Sequence, residues 1–273
     1  MTSTGAEPVG RSGYVEHDGL KLHHLEYGRP EAAPLVIIPG ITSPAATWEF
    51  VSVELGRDYH VITLDIRGRG RSDTPASGYS LTDYAGDVKA TVGELGLERP
   101  ALLGHSMGAR IAAAVRVLHP GVAGPVVLAD PPLTGPDRGT YPMPLEAFMD
   151  QLSAARSGAA PEELLRYFPT LTPEHLALRA EWLPTCDENA VRESWLNFHR
   201  EDFFPYLREL EPPVLFMYGA DSPVVPESAL PEIRQARPDA EVVRIAHAGH
   251  MIPWDNVEQF LAESRQFLKR VLA

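Results

Sequence analysis

Ten residues, Ala101-Leu102-Leu103-Gly104-His105-Ser106-Met107-Gly108-Ala109-Arg110, constrain this chain more than any other stretch. An apolar run stops at Gly104, a serine stands at the centre of Gly-x-Ser-x-Gly, and small helix-forming residues follow at once. That is strand, sharp turn, helix. A serine lifted out of a sheet on so tight a turn leaves no room for Cβ atoms two residues to either side, hence the two glycines. The pentapeptide alone is a weak signal, since glycine-rich strand-to-helix turns occur in many α/β proteins. The periodicities on either side make Ser106 a candidate nucleophile.

The rest of the chain alternates strand and helix patterns. Segments 14–17 and 20–27 alternate in polarity around Asp18-Gly19, a hairpin signal. Segments 34–38, 59–66, the run 101–103 before the serine turn, 126–129, 214–218 and 241–245 read as strands, several of them continuous apolar runs of the kind covered on both faces. Helical patterns occupy 47–55, 81–97 with Ser80 or Thr82 as cap, the stretch after Ser106 up to His119-Pro120, 226–235 and 254–272. Between 133 and 210 there is no strand pattern, only helical segments rich in proline, tryptophan and tyrosine. This predicts an α/β core over 13–132 and 211–273, a helical cap inserted at 133–210, and a flexible tail over 1–12. The expected sheet is mostly parallel, with an antiparallel N-terminal hairpin and helices on both faces. Ligands then bind beyond the carboxyl ends of the strands.

Those ends carry Gly40-Ile41, Ser106, Asp130, Asp221 and, after the last strand, His250. A serine hydroxyl needs a base within hydrogen-bond reach. Of the ten histidines, His250 in Ala248-Gly249-His250-Met251 occupies the loop where a chain ordered serine, acid, histidine places its base. His247 is a near rival without the glycine turn, and His105 is expected to pack beside Ser106. His23, His24, His60 and His119 read as surface or strand histidines. Asp130 or Asp221 can supply the carboxylate that orients the imidazole. The oxyanion of an acyl-transfer intermediate needs two donors, and the backbone N–H groups of Met107, at a helix start, and Ile41 are in position.

At these residues the chain resembles the α/β-hydrolase superfamily. Further segments narrow the likeness: PGITSPAATWEFV, DIRGRGRS, LLGHSMGAR, DPPLTGPDRGTYP, LALRAEWLPTC and AGHMIPWD, from Pro39 to Asp255, resemble the bacterial N-formylmaleamate deformylases of nicotinate breakdown. A looser likeness, around Gly40-Ile41-Thr42-Ser43 and Ser106, is to the (E)-2-(acetamidomethylene)succinate hydrolases. Many hydrolases of this fold carry their acid at the position of Ser222, with Asp221 one place early. The resemblance to the deformylases instead implies Asp130 as acid, Ser106 as nucleophile, His250 as base, and Ile41 and Met107 amides as oxyanion hole. It implies a small anionic amide substrate, no metal and no organic cofactor.

A substrate carboxylate needs a cation or donors. Arg138, Tyr141, Arg179, Trp182 and His199 in the cap, and Arg110 after the elbow, are the candidates. Arg179 is the preferred one, on a helix face shared with Trp182. Arg67, Arg69 and Arg71 are expected to brace a loop. The net charge of −13 speaks against nucleic acid as a partner. No apolar run is long enough to span a bilayer, and the first residues lack a signal-peptide core, so a cytoplasmic location is expected. The single cysteine, Cys186, reads as a small buried hydrophobe. An esterase, lactonase or cofactor-free perhydrolase would use the same serine, and a non-catalytic receptor could share the fold.

Overall fold

The computed structural model describes residues 8–272. Its eight strands are β1 (Arg11–His17), β2 (Leu20–Tyr27), β3 (Pro34–Ile38), β4 (His60–Leu64), β5 (Ala101–His105), β6 (Val126–Ala129), β7 (Val214–Gly219) and β8 (Glu241–Ile245). They form one sheet in the order β1-β2-β4-β3-β5-β6-β7-β8. β2 is antiparallel to both β1 and β4, and every other pairing is parallel. The order reverses between β3 and β5, and a crevice opens outside the carboxyl ends of strands at such a reversal. Ile41 follows one of these strands and Ser106 the other.

Ten helices accompany the sheet: α1 (Glu49–Leu55), α2 (Leu81–Glu94), α3 (Met107–Leu118), α4 (Leu145–Arg156), α5 (Pro173–Trp182), α6 (Glu188–Arg200), α7 (Phe204–Glu209), α8 (Leu230–Ala236), α9 (Ile252–Asp255) and α10 (Val257–Val271). α1 packs on α10, and α2 packs on α3. The central strands β4, β5, β6 and β7 are buried along their whole length, as their unbroken apolar runs require. Helices α4 to α7 all lie between β6 and β7 in the chain.

Local chemistry sets the boundaries. The Ser80 hydroxyl accepts from the Asp83 N–H and Asp83 returns the bond to the Ser80 backbone, a capping box that starts α2. That helix stops at Glu94, short of the expected 97, because Gly96 takes a left-handed φ of 63°. The expected helix over 254–272 is divided: Asn256 ends one turn and caps α10 by accepting from the Gln259 N–H. The first strand begins at Arg11, ahead of the expected 14, since Arg11 and Ser12 pair with Glu26 and Leu25. The tail expected over 1–12 is thus strand at its last two positions, and its residues 1–7 lie outside those described. Among the described residues no helix is long and apolar enough to cross a membrane.

Candidate active site

Ser106 sits between β5 and α3 with φ 55° and ψ −121°, a conformation that side-chain-bearing residues avoid. Such a turn stores roughly 1–3 kcal/mol and persists only where the surroundings enforce it. A Cβ on Gly104 would lie 2.2 Å from the Gly108 carbonyl oxygen, and one on Gly108 would lie 1.9 Å from that of Ile38. Only glycine allows β5, α3 and β3 to approach so closely.

The serine's Oγ is 2.9 Å from His250 Nε2, and His250 Nδ1 is 2.7 Å from Asp130 Oδ2. The carboxylate selects the tautomer with hydrogen on Nδ1, so Nε2 is free to accept the Ser106 proton. Asp130 is fully buried. Its Oδ1 accepts the Gly219 N–H at 3.0 Å, and its Oδ2 accepts the Ser222 hydroxyl at 2.6 Å. The position that usually holds an acid in this fold therefore carries a hydroxyl that supports the acid on the neighbouring strand. Ser222 Oγ in turn accepts the N–H groups of Val224 and Val225. Asp221 is exposed, and the carboxylate that His250 Nδ1 meets is Asp130's.

His105 is buried and donates through Nε2 to the His250 carbonyl at 2.8 Å. Burial holds its pKa well below the usual histidine range, so it is a neutral brace under the His250 loop. His247 is exposed. The N–H groups of Ile41 and Met107 have no protein acceptor among the described residues. Met107 is the first residue of α3, where such groups are free by construction. Arg69, fully buried, donates to the Ile41 carbonyl, to Tyr84 and to Ala190 and Ser194 of α6, locking the Ile41 loop to the helices above it. Arg67 pairs with Asp87. The bracing expected of this arginine run is what the contacts of Arg67 and Arg69 do.

Above Ser106 lies a small cavity of about 40 Å³. Its wall includes Ile41, Thr42, Ser43, Tyr141, Phe148, Gln151, Phe168, Arg179 and Met251. A far larger concavity, about 800 Å³ around Lys89 and His119, is an open surface groove that holds none of these residues. Polar groups converging on a nucleophile, not volume, identify the site.

Of the six residues expected to meet a substrate, the structure brings two to this cavity. Arg179 is 1% exposed. It donates to the Thr42 carbonyl at 2.7 Å and lies against the rings of Phe168 and Trp254, yet its Nε and Nη2 have no hydrogen-bond partner among the described residues. Burial without a carboxylate lowers its pKa to about 10. The Tyr141 hydroxyl lies 3.3 Å from His250 Nε2, and burial raises its pKa, keeping the phenol protonated.

The other four are held elsewhere by partners distant in sequence. Trp182 stacks under Arg71, on the part of the α5 face that misses the cavity. His199 accepts the Tyr141 N–H through Nε2 and so positions the tyrosine's backbone. Arg138 is tied to Asp202 and Glu232 and stacks on Phe204. Arg110 is buried and donates to the carbonyls of Thr134, Phe198 and Glu201, two of them at the end of α6, where a cation suits the helix dipole. Gln151 was not among the expected residues. Its signal is a polar residue inside the buried stripe Phe148, Leu152, Ala155 of α4. Cys186 is buried, its thiol pushed up to about 12. Among the described residues no group of three or more metal-ligating side chains is gathered.

A sequence model of the Alpha/beta hydrolase family matches residues 35–263. N-formylmaleamate deformylase of Pseudomonas putida is 40% identical over 263 residues, 95% of this chain and 97% of that protein. The 2-(acetamidomethylene)succinate hydrolase of Mesorhizobium japonicum is 28% identical, over 81% of this chain and 83% of the relative. A crystal structure of an N-formylmaleamic acid deformylase variant from Pseudomonas putida superposes with a TM-score of 0.87 at 36% identity, covering 92% of this chain and 99% of the other. With the family model spanning most of the chain and a relative at 40% identity over nearly all of it, the protein belongs to the alpha/beta hydrolase family.

Proposed function

We propose that this chain is a serine hydrolase that cleaves the C–N bond of a small anionic acyl amide, converting N-formylmaleamate and water to maleamate and formate. The observation that carries the reading is Arg179, a buried cation with no carboxylate partner, in the wall of the cavity that also holds the Ser106-His250-Asp130 chain. A buried charge is stable only when paired. A ligand carboxylate entering the cavity supplies the missing partner. The full-length likeness to N-formylmaleamate deformylase supports the same substrate.

The residues have these roles. Arg179 holds the carboxylate and orients the formyl carbon over Ser106. As Oγ attacks that carbon, His250 Nε2 takes the serine proton, and Asp130 stabilises the imidazolium without becoming protonated. The new oxyanion is received by the Ile41 and Met107 N–H groups. His250 then returns the proton to the departing nitrogen, the C–N bond breaks, and maleamate leaves a formyl-serine behind. Its nitrogen is conjugated to a second carbonyl, so it departs more readily than a simple amine. Water attacks the formyl ester, giving its proton to His250, and formate leaves as Ser106 is restored. Residues 133–210 serve as a cap that keeps bulk water from the intermediate, over a core of 13–132 and 211–273. The carboxyl group and the formyl amide are the features this wall can recognise, so a small acid is the partner.

Purified protein incubated with N-formylmaleamate should release formate and maleamate in equal amounts. Absence of formate, with fast cleavage of simple p-nitrophenyl esters, would replace this reading with a carboxylesterase.

A further inference from the structure

Gln151 projects from α4, one turn beyond Phe148, and both residues line the cavity above Ser106. It is 1% exposed. Its Oε1 is enclosed and has no hydrogen-bond partner among the described residues. Among the described residues the side chain makes no hydrogen bond at all, although Tyr141 and Arg179 share the same wall. A primary amide carries one acceptor oxygen and two N–H donors. Buried groups of this kind are satisfied in native proteins, and an unsatisfied one asks for an explanation. Arg179 is accounted for by a ligand carboxylate; Gln151 is not.

Ligand chemistry separates the possibilities. A carboxylate or an ester offers only acceptors, which meet the Gln151 N–H groups and leave its oxygen facing lone pairs. A group that presents N–H beside C=O meets both ends. Rotation about the terminal bond of the side chain exchanges oxygen and nitrogen without moving the rest, so the pairing needs no shift of α4. We propose that Gln151 is a specificity-determining residue that pairs with the ligand's amide, so that the site prefers acyl amides bearing N–H over esters or ketones of the same shape. The inference rests on the deformylase reading and deepens it: Arg179 reads the acid and Gln151 reads the nitrogen. A site built to hydrogen-bond an N–H rejects an analogue lacking it far more strongly than an apolar pocket rejects a small change in size.

The test compares two ligands of one shape, maleamate and the methyl ketone in which CH₃ replaces its NH₂, by calorimetry. The wild-type protein should bind maleamate at least about tenfold tighter. Gln151→Leu should weaken maleamate alone and bring the two ligands to equal affinity, with an undiminished melting temperature. Gln151→Met, of the same length, serves should the leucine variant not fold. Equal binding of both ligands to the wild type, or a preference that survives in the variants, overturns the proposal. Formate release from N-formylmaleamate, measured on the same wild-type sample, separates the two claims. Formate without any ligand preference sinks the role of Gln151 alone. No formate and no binding of either ligand sinks both.

Discussion

Among the described residues two serine–histidine–aspartate chains are joined by hydrogen bonds, and they differ in what surrounds the serine. In the first, Ser106, His250 and Asp130 are joined at 2.9 and 2.7 Å. In the second, Ser12 Oγ is 2.7 Å from His23 Nε2, and His23 Nδ1 is 2.7 Å from Asp65 Oδ2. The side-chain geometry is equivalent, and His23 and Asp65 are both buried. The difference lies around the serine. Ser106 is strained, heads a helix beside unpaired amides and faces a cavity. Ser12 is exposed on the edge strand β1, in register with Leu25 of β2, with no helix start beneath it. Asp65 meanwhile accepts the N–H groups of Ala45 and Arg71, so it ties β2 to the loops after β3 and β4. A proton-relay geometry thus has two uses here. Without donors for an oxyanion and a place for the acyl group, it is a staple between strands.

The sharpest way to break this contrast is to remove each serine hydroxyl. Ser106→Ala should lower kcat for formate release by about 10⁶-fold, the scale seen when the serine of such a unit is lost. Ser12→Ala should leave kcat within about twofold. A large loss from Ser12→Ala, or retained turnover in Ser106→Ala, would mean that the environment does not distinguish the two chains.

The two carboxylates sharpen the contrast further. Asp130→Asn keeps the shape of the group but favours the wrong tautomer of His250, and should cost about 10⁴-fold in kcat with a small change in melting temperature. Asp65→Asn removes the charge and replaces one carboxylate oxygen by an NH₂ that cannot accept, so either the Ala45 N–H, or the Arg71 N–H together with His23 Nδ1, loses its acceptor. It should destabilise the fold by roughly 3 kcal/mol, the scale for breaking a buried charged network, and reduce kcat far less than Asp130→Asn. Urea unfolding and steady-state turnover on the same samples read both effects, and a reversal of their order would contradict the assignment.

What could be read from the sequence follows the same division. The Ser106 turn was legible because its demands are local: two glycines, an apolar run before and a helix after. The central strands were legible because burial on both faces leaves unbroken apolar runs such as Leu35-Val36-Ile37-Ile38. The approach of Asp130 to His250 was legible from its place at a strand's carboxyl end, from the likeness to the deformylases, and from the serine at position 222, whose hydroxyl donates to that carboxylate. The fates of Arg110 and Arg138 were not legible. Their partners come from segments 24 to 94 residues away, and nothing in the local pattern names them. His23 and His24, which read as surface or strand histidines, are strand residues of β2 and are buried; the ring of His23 meets Ser12 and Asp65, and nothing in the local pattern names the distant Asp65 as its partner. Trp182 failed for a finer reason: sharing a helix face with Arg179 does not place both at one cavity, since a turn of helix spans about 5 Å.

Each chain also has a buried companion histidine, and these offer the smallest test of the contrast. His105 is braced against the His250 carbonyl. His24, next to His23, has an Nδ1 without a hydrogen-bond partner among the described residues, and burial, aided by neighbouring His23, lowers its pKa to about 4. Glu26 opposes that shift, while Arg11 and His60 add to it. An unfolded chain protonates histidine near 6.5. Between about 6.5 and about 4 the unfolded state therefore binds a proton at this site that the folded state does not, so the contribution of His24 to stability falls as pH drops through that window and is unchanged above it. Replacing it by leucine should flatten the dependence of unfolding stability on pH by up to one proton across that range. The pH profile of kcat should stay as in the wild type, because His24 touches the stapling chain and not the reacting one. A changed kcat profile in His24→Leu would show that β2 communicates with His250, and the separation between the two chains would no longer hold.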